Sequence, residues 1–469
     1  MLDDFFNSNE FKKQLQLYEQ DGAEKATLDS EILTDIADYY RSQGQMDKAL
    51  QAVDYALTLY PGATAPLIFK ARAALADDDV QRADGYLESI DDKTDLDYHY
   101  MKAELMICQR QEDDADTYLE ARLEEIDATE RPDYVLDVAT LFGDYDLMEL
   151  ADKWLSRSDE TDLNDYMELR GRILMAKGEV EAAQKLFEEL VERNPFSAVY
   201  WNLLACTQYL QQRYDDTIAS CEYAIAIDPR NEESLVNKAN SLSMLGNYEE
   251  AFVYYERYAK ITRAHDLAEM YCGITLSYLG RYAECIPLLQ NALAHSTPDS
   301  PYLSEIYHEL VLALMKEHRT DEALQYVEEA EADPRTMDPN ELKVLHGHVL
   351  LSEGQVEEAQ RLMGEAYMDS GMSAVIVRRI AVSLYENGYT KMAFDMLSAL
   401  LDDLDERSIE GYSYLAACAY ELNRKDDFLK YLQVAVERNA IEARCILSEL
   451  FPPETPPQDY YEYAKNNLI

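Results

Sequence analysis

A pattern of small and bulky residues returns along this chain roughly every 34 residues. It is first seen as Ala37, Tyr40, Gly44, Ala49, Val53, Ala56 and Pro61, and the same offsets recur as Gly171, Leu174, Gly178, Ala183, Phe187, Leu190 and Pro195. A third copy reads Ala239, Leu242, Gly246, Ala251, Tyr255 and Tyr258. A period of this length suits one helical hairpin, which cannot bury its own apolar face and must stack on its neighbours. Aligning the small or apolar residue of each copy places the starts at Ser30, Thr64, Leu96, Pro132, Asn164, Ala198, Glu232, Asp266, Ser304, Asn340, Ala374 and Ile409, about 12 units in all.

These motifs resemble the tetratricopeptide repeat family over nearly the whole chain, from Ser30 to about Ala440. The resemblance implies an all-α fold: a right-handed α-solenoid of helix-turn-helix repeats with capping helices. In that pattern a small residue lets the two helices of a unit approach, a glycine makes the turn, and a proline stops the second helix. The third and fourth units lack the glycine, and the last has Phe428 where alanine is usual. The expected organisation is a capping segment over 1–29, repeats one to eight over 30–297, repeats nine to twelve over 298–440, and a capping helix with a Tyr-rich tail over 441–469. Two proline-bearing joints, at 296–301 and 333–339, are the expected places for a bend, and Pro287 adds a local kink.

The chain carries 92 Asp and Glu against 42 Lys and Arg, a formal net charge of −50. Nucleic acid should be repelled. Part of this acidity has a structural explanation, because pairs such as Asp113-Asp114, Asp215-Asp216, Glu249-Glu250 and Asp426-Asp427 open the second helix of a unit, beside its positive dipole end. No apolar run approaches bilayer length and the start, Met1-Leu2-Asp3-Asp4, is acidic, so neither a membrane span nor a secretory signal is expected. Seven cysteines, an odd number without a CxxC pair, fit a reducing cytoplasm, and a bacterial source is expected. Most fall where the repeat wants something small, as Cys285 does, and read as packing residues.

In the family, five positions of each first helix face the concave surface, which lets the inner lining be read by resemblance. Units six to eight are poor in charge there. They offer Asn202, Cys206, Tyr209 and Leu210, then Val236, Asn240 and Met244, then Met270, Ile274 and Tyr278. Asn202 and Asn240 could hydrogen-bond the backbone of an extended or helical peptide, while Leu210, Met244, Met270 and Tyr278 bury its side chains. The competing expectation is that this stretch packs on itself or on a second copy in a homodimer. The flanking units are acidic, with Glu31 and Asp38 in the first, Asp97 and Glu104 in the third, and Asp133 and Asp144 in the fourth. That arrangement favours a basic, amphipathic protein segment as partner. Family members that clamp the C-terminal carboxylate of a chaperone do so with lysines and asparagines. The best window here reads Asn202, Cys206, Asn237, Leu267 and Tyr271, so no such clamp is implied. Three inner arginines, Arg72, Arg172 and Arg378, are expected to pair with nearby acids, Arg172 with Glu168 one helical turn away.

No catalytic motif is present. There is no GxxxxGK[ST] phosphate loop, HExxH, GxSxG elbow or GxGxxG. The histidines do not fall at metal-ligand spacing, and His346 and His348 point to different faces of one helix. The expectation is therefore a non-enzymatic protein-binding scaffold with no cofactor and no metal. An acidic regulator that mimics nucleic acid and occupies basic proteins is the alternative.

Overall fold

The computed structural model describes residues 6, 8–20, 27–332, 337–403, 411–452 and 455–468. Residues 333–336 of the second expected joint, the expected repeat start at Ile409, and Phe5 and Pro453 lie outside the described residues. Among those described there are 27 α-helices and no strand, arranged as an α-solenoid of consecutive helix pairs. From Ser30 to Ala374 the first helix of every pair begins within one residue of the position expected from the repeat.

Two kinds of position explain why these residues form these pairs. The first is the small residue midway along the first helix of every pair but Leu303–Lys316, which carries Val311 there. Ala37, Ala71, Ala103, Ala139, Ala205, Ala239, Ala381 and Ala416 are all fully buried there. In three pairs the position is glycine and a Cβ would collide with the facing helix, 2.4 Å from the Phe187 ring at Gly171, 2.8 Å from Leu289 at Gly273 and 2.9 Å from Met363 at Gly347. Small on one helix thus answers large on the other, the size complementarity a close-packed interface needs. The second is the turn, where one residue has a left-handed backbone in every pair described. Gly44, Gly178, Gly246, Gly280, Gly354 and Gly388 fill it in half of them, and Asp78, Arg110, Asp146, Gln212, His318 and Asn423, with φ of 56–61°, in the rest. The turn geometry therefore survives where the glycine does not.

The acidic pairs that open the second helices sit in the first turn, as the dipole argument requires, but few of them cap an amide through a side chain. Instead an arginine just ahead of the helix pairs with the acid three residues on. The distances are 2.7 Å for Arg213–Asp216, 2.7 Å for Arg281–Glu284, 2.6 Å for Arg319–Glu322 and 3.7 Å for Arg424–Asp427. All four are solvent-exposed pairs, which add little to stability.

The chain divides into two compact units, residues 1–190 and 191–469, the division falling inside the helix Val180–Arg193. The first unit holds the helix pairs from Ser30 onward, led by a helix over Asn9–Glu19 whose Ser8 side chain caps the Phe11 amide at 3.1 Å. Phe11 and Tyr18 of that helix are buried with Leu33, Ile36 and Tyr40, covering the first pair.

The second unit starts from the pairs Ala198–Leu210 with Tyr214–Ile227, Glu232–Met244 with Tyr248–Ala259, and His265–Tyr278 with Tyr282–His295. Four further first helices follow, Leu303–Lys316, Pro339–Ser352, Ala374–Glu386 and Tyr412–Glu421. Packing is continuous across residues 296–301, since Met270, Leu289 and Ala292 share one core with Leu303, Ile306 and Tyr307. At the end, helices Ala440–Leu447 and Tyr460–Asn467 close the core, with the Phe451 and Tyr460 rings stacked 3.8 Å apart.

Candidate functional site

The ten residues expected to meet a peptide all belong to the first three pairs of the second unit. Leu210 and Tyr278 are 57% and 58% exposed, and Cys206, Tyr209, Val236, Asn240, Met244 and Ile274 are half-buried. Asn202 and Met270 are placed differently, at 3% and 5% exposure. Met270 belongs to the core shared with Leu303 and Ile306. The Asn202 amide is engaged within the protein. Its nitrogen donates to Glu233, and its oxygen accepts from Ser234 Oγ at 3.0 Å and from Asn237 Nδ2 at 3.1 Å. Asn237 also donates to Cys206 Sγ at 3.3 Å, and burial pushes that thiol up to about 11, so it stays protonated at neutral pH. The side-chain oxygen of Asn240 accepts from Tyr255 OH at 2.6 Å.

Asn202 therefore joins neighbouring repeats and Asn240 the two helices of its own pair, while Leu210 and Tyr278 meet solvent. A buried lysine, absent from the sequence reading, serves the same end. Lys238 Nζ reaches Glu222 at 2.7 Å and Tyr254 OH at 2.8 Å, the ammonium lying 4.3 Å from the centre of the Tyr254 ring.

The last helices of the unit return to this face. Arg444 Nη1 donates to the Leu245 carbonyl at 2.6 Å, joining residues 199 apart in sequence. Leu245 caps the C-terminal end of helix Glu232–Met244, where the carbonyls and the helix dipole favour a cation. Gly246 makes the approach feasible, because a Cβ there would lie 3.1 Å from the guanidinium. Next to it, Tyr248 OH and Cys445 Sγ are 3.1 Å apart, and the Tyr248 ring stacks on Tyr278 at 4.9 Å. One rim of the expected groove is thus closed by the chain's own helix Ala440–Leu447.

Beyond this closure, ionisable side chains from several first helices gather. Arg379 pairs with Glu341 at 3.4 Å, and His348 lies 3.9 Å from Glu386 and 3.3 Å from Asn387 Nδ2. Burial, reinforced by Glu305 and Glu386 and opposed by Arg379, pushes the Glu309 carboxyl up to about 7. The neighbouring His308 moves the opposite way, to about 4, through burial and the charge of Arg379. Its Nδ1 is buried without a hydrogen-bond partner. The sequence reading singled out Arg378 in this region and passed over His308 and Glu309. The signal available was His308 at an inward-facing position of its repeat.

In the first unit a cavity of 340 Å³ is lined by Glu31, Asp35, Asp38, Arg72 and Asp97 among others. Burial and the adjacent Asp38 and Glu31 push Asp35 up to about 6. Arg72 pairs with Glu104 at 3.1 Å, as expected of an inner arginine. Arg172 also pairs with an acid, but the partner is Asp144 at 3.1 Å, not Glu168, and its other nitrogen donates to the Gly143 carbonyl at 2.7 Å. Among the described residues no group of His, Cys, Asp and Glu is placed to hold a metal, and no helix is long and apolar enough to cross a membrane.

Two family models, both described as tetratricopeptide repeat, match residues 169–232 and 220–252. No curated protein matches the chain significantly. Among solved structures, the Cut9–Hcn1 hetero-tetramer of the APC/C is similar at 13% identity over 94% of this chain and 88% of that one, with a TM-score of 0.39. A tetratricopeptide repeat protein from Parabacteroides merdae is 14% identical over 54% of this chain and 98% of its own, with a TM-score of 0.40. PilF of Pseudomonas aeruginosa is 17% identical over 48% and 97%, at 0.39. Similarities at this level carry nothing about partners. The small-residue contacts and the left-handed turn in each pair continue, on either side of residues 169–252, the tetratricopeptide repeat pattern that the family models match there.

Proposed function

We propose that the protein is a non-enzymatic adaptor that holds a basic, amphipathic protein segment on the inner face of its second unit. The observation that supports this most is the solvent-facing apolar strip of Leu210, Met244, Ile274 and Tyr278, set in a chain whose formal charge is −50. Apolar residues left at the surface of so acidic a protein suit a partner that brings apolar side chains and positive charge together. Because Asn202 is tied to Glu233, Ser234 and Asn237, recognition rests on side-chain burial, with the amide of Asn240 as the remaining polar contact.

The reading is tested with a fluorescent, lysine-rich amphipathic helical peptide, titrated at low and at high salt against wild type and a Leu210→Asp, Tyr278→Ala variant. Both positions are exposed, and the Tyr278 change also removes the ring that stacks on Tyr248. Binding should weaken with salt but keep a salt-resistant remainder that the variant removes. Binding that vanishes with salt and is the same in both proteins would contradict the groove and point to charge mimicry.

A further inference from the structure

An apolar trough of 650 Å³ lies between the second helices of two successive pairs, Val356–Asp369 and Thr390–Asp403. One wall presents Met363, Gly364 and Tyr367, and the other Met392, Met396 and Leu400. Buried Val377, Ile380 and Leu384, on one face of the first helix Ala374–Glu386, form the floor. Gly171, Gly273 and Gly347 are each closed on by a facing helix, whereas a Cβ at Gly364 would meet nothing within 4 Å. Glycine is a poor helix former, and no close packing requires it here; what it supplies is room. At the rim Met372 and Met392 are 58% and 46% exposed, so the trough is open to solvent. Its walls are acidic, with four Asp and Glu against one Arg in Val356–Asp369 and three Asp against one Lys in Thr390–Asp403. Among the described residues of the lining, the one carboxylate, Asp395, makes no hydrogen bond or ion pair with the protein.

We propose that this trough is a second docking surface, which takes an amphipathic helix of a partner protein, its apolar side chains on the methionines and a lysine or arginine beside Asp395. The wall from Met392 to Leu400 runs for about 12 Å, or about two turns of a docked helix. Methionine side chains are flexible and polarizable and mould themselves to an apolar helix face, and the acidic walls favour a basic polar face over an acidic one. A small apolar molecule is a poorer occupant, because the open rim would leave it largely in water. The trough is built on second helices, apart from the inner-face strip at Leu210 and Tyr278, and it therefore goes beyond the adaptor reading: the chain has a place for a second segment.

The test is oxidation of the full chain's methionines by dilute peroxide, read by mass spectrometry. The probes are two amphipathic helical peptides with leucines on one face, and lysines on the polar face of one and glutamates on that of the other. With the lysine peptide at about ten times its dissociation constant, oxidation of Met372 and Met392 should slow about tenfold. The glutamate peptide should leave both unchanged. In a Gly364→Phe variant, whose new ring fills the trough while improving the helix, the protection should be lost. Buried Met101 and Met270 should resist oxidation in both proteins, which reports an intact fold. Met244, in the same spectra, reports the inner face, so failure at the trough and failure of the adaptor reading are distinguishable. No protection of Met372 and Met392, equal protection by both peptides, or protection kept in Gly364→Phe overturns the proposal. Protection that grows with protein concentration alone, or that decanol supplies as well as the peptide, also overturns it, in favour of a second copy or a small apolar ligand.

Discussion

Gln212 and His318 occupy turn positions that glycine fills in the pairs around them, with φ of 60° and 57° against 75° at Gly246 and 70° at Gly280. A side chain in the left-handed region costs about 1–2 kcal/mol, partly offset by the entropy glycine loses on folding. Gln212→Gly and His318→Gly should each stabilise the protein by about 0.5–1 kcal/mol. Gly280→Ala, where an added Cβ meets nothing within 4 Å, should cost about 1 kcal/mol from the backbone alone. Urea midpoints check both, and no shift in either direction would show that these turns relax without strain. The turn position was legible in the sequence even at Arg110 and Asp146, because the spacing of the small residues identifies it without the glycine. Asn202 was legible as an inward residue but not as a buried one. Its neighbours Ser234 and Glu233 come from the next repeat, and sequence spacing does not show which side chains meet across two units.

The helix Ala440–Leu447 was expected as a cap, and it does close the last pair, with Ala443 and Leu447 fully buried in the terminal core. Its second contact, from Arg444 and Cys445 to Leu245 and Tyr248, was not readable. It depends on how far the array turns over about 200 residues, a sum of small rotations between successive pairs that no local pattern encodes. Arg444→Ala removes a charge-assisted hydrogen bond to a helix C-terminus, worth about 1–2 kcal/mol to the closure. Amide exchange should quicken over 245–248 and 440–447, while the turn at 280 stays as it was. Unchanged exchange over 245–248 would mean that Tyr248 and its stack on Tyr278 hold the closure unaided. The inner arginines show the same limit at shorter range. Arg172 found an acid as expected, but in the preceding pair and not on its own helix.

In the proposed adaptor, charge and apolar surface would divide the work of recognition. The excess of 92 acidic over 42 basic residues would draw positively charged segments from a distance, an attraction screened by salt, and the exposed apolar strip would act only at contact. The first-unit cavity lined by Asp35, Asp38 and Asp97 would add to that attraction. This division was legible in outline, since composition shows the acidity and the repeat register shows the charge-poor stretch. The pairs Arg379–Glu341 and His348–Glu386 required the folded chain, because their members come from different repeats.

The most direct test of the proposed inner-face surface is hydrogen exchange of the full chain, read by mass spectrometry with and without the lysine-rich amphipathic peptide. Bound peptide should slow exchange over 199–210, 236–246 and 270–278 and leave the second helices at 214–227 and 282–295 unchanged. Protection confined to those second helices, or found only within residues 1–190, would contradict the account.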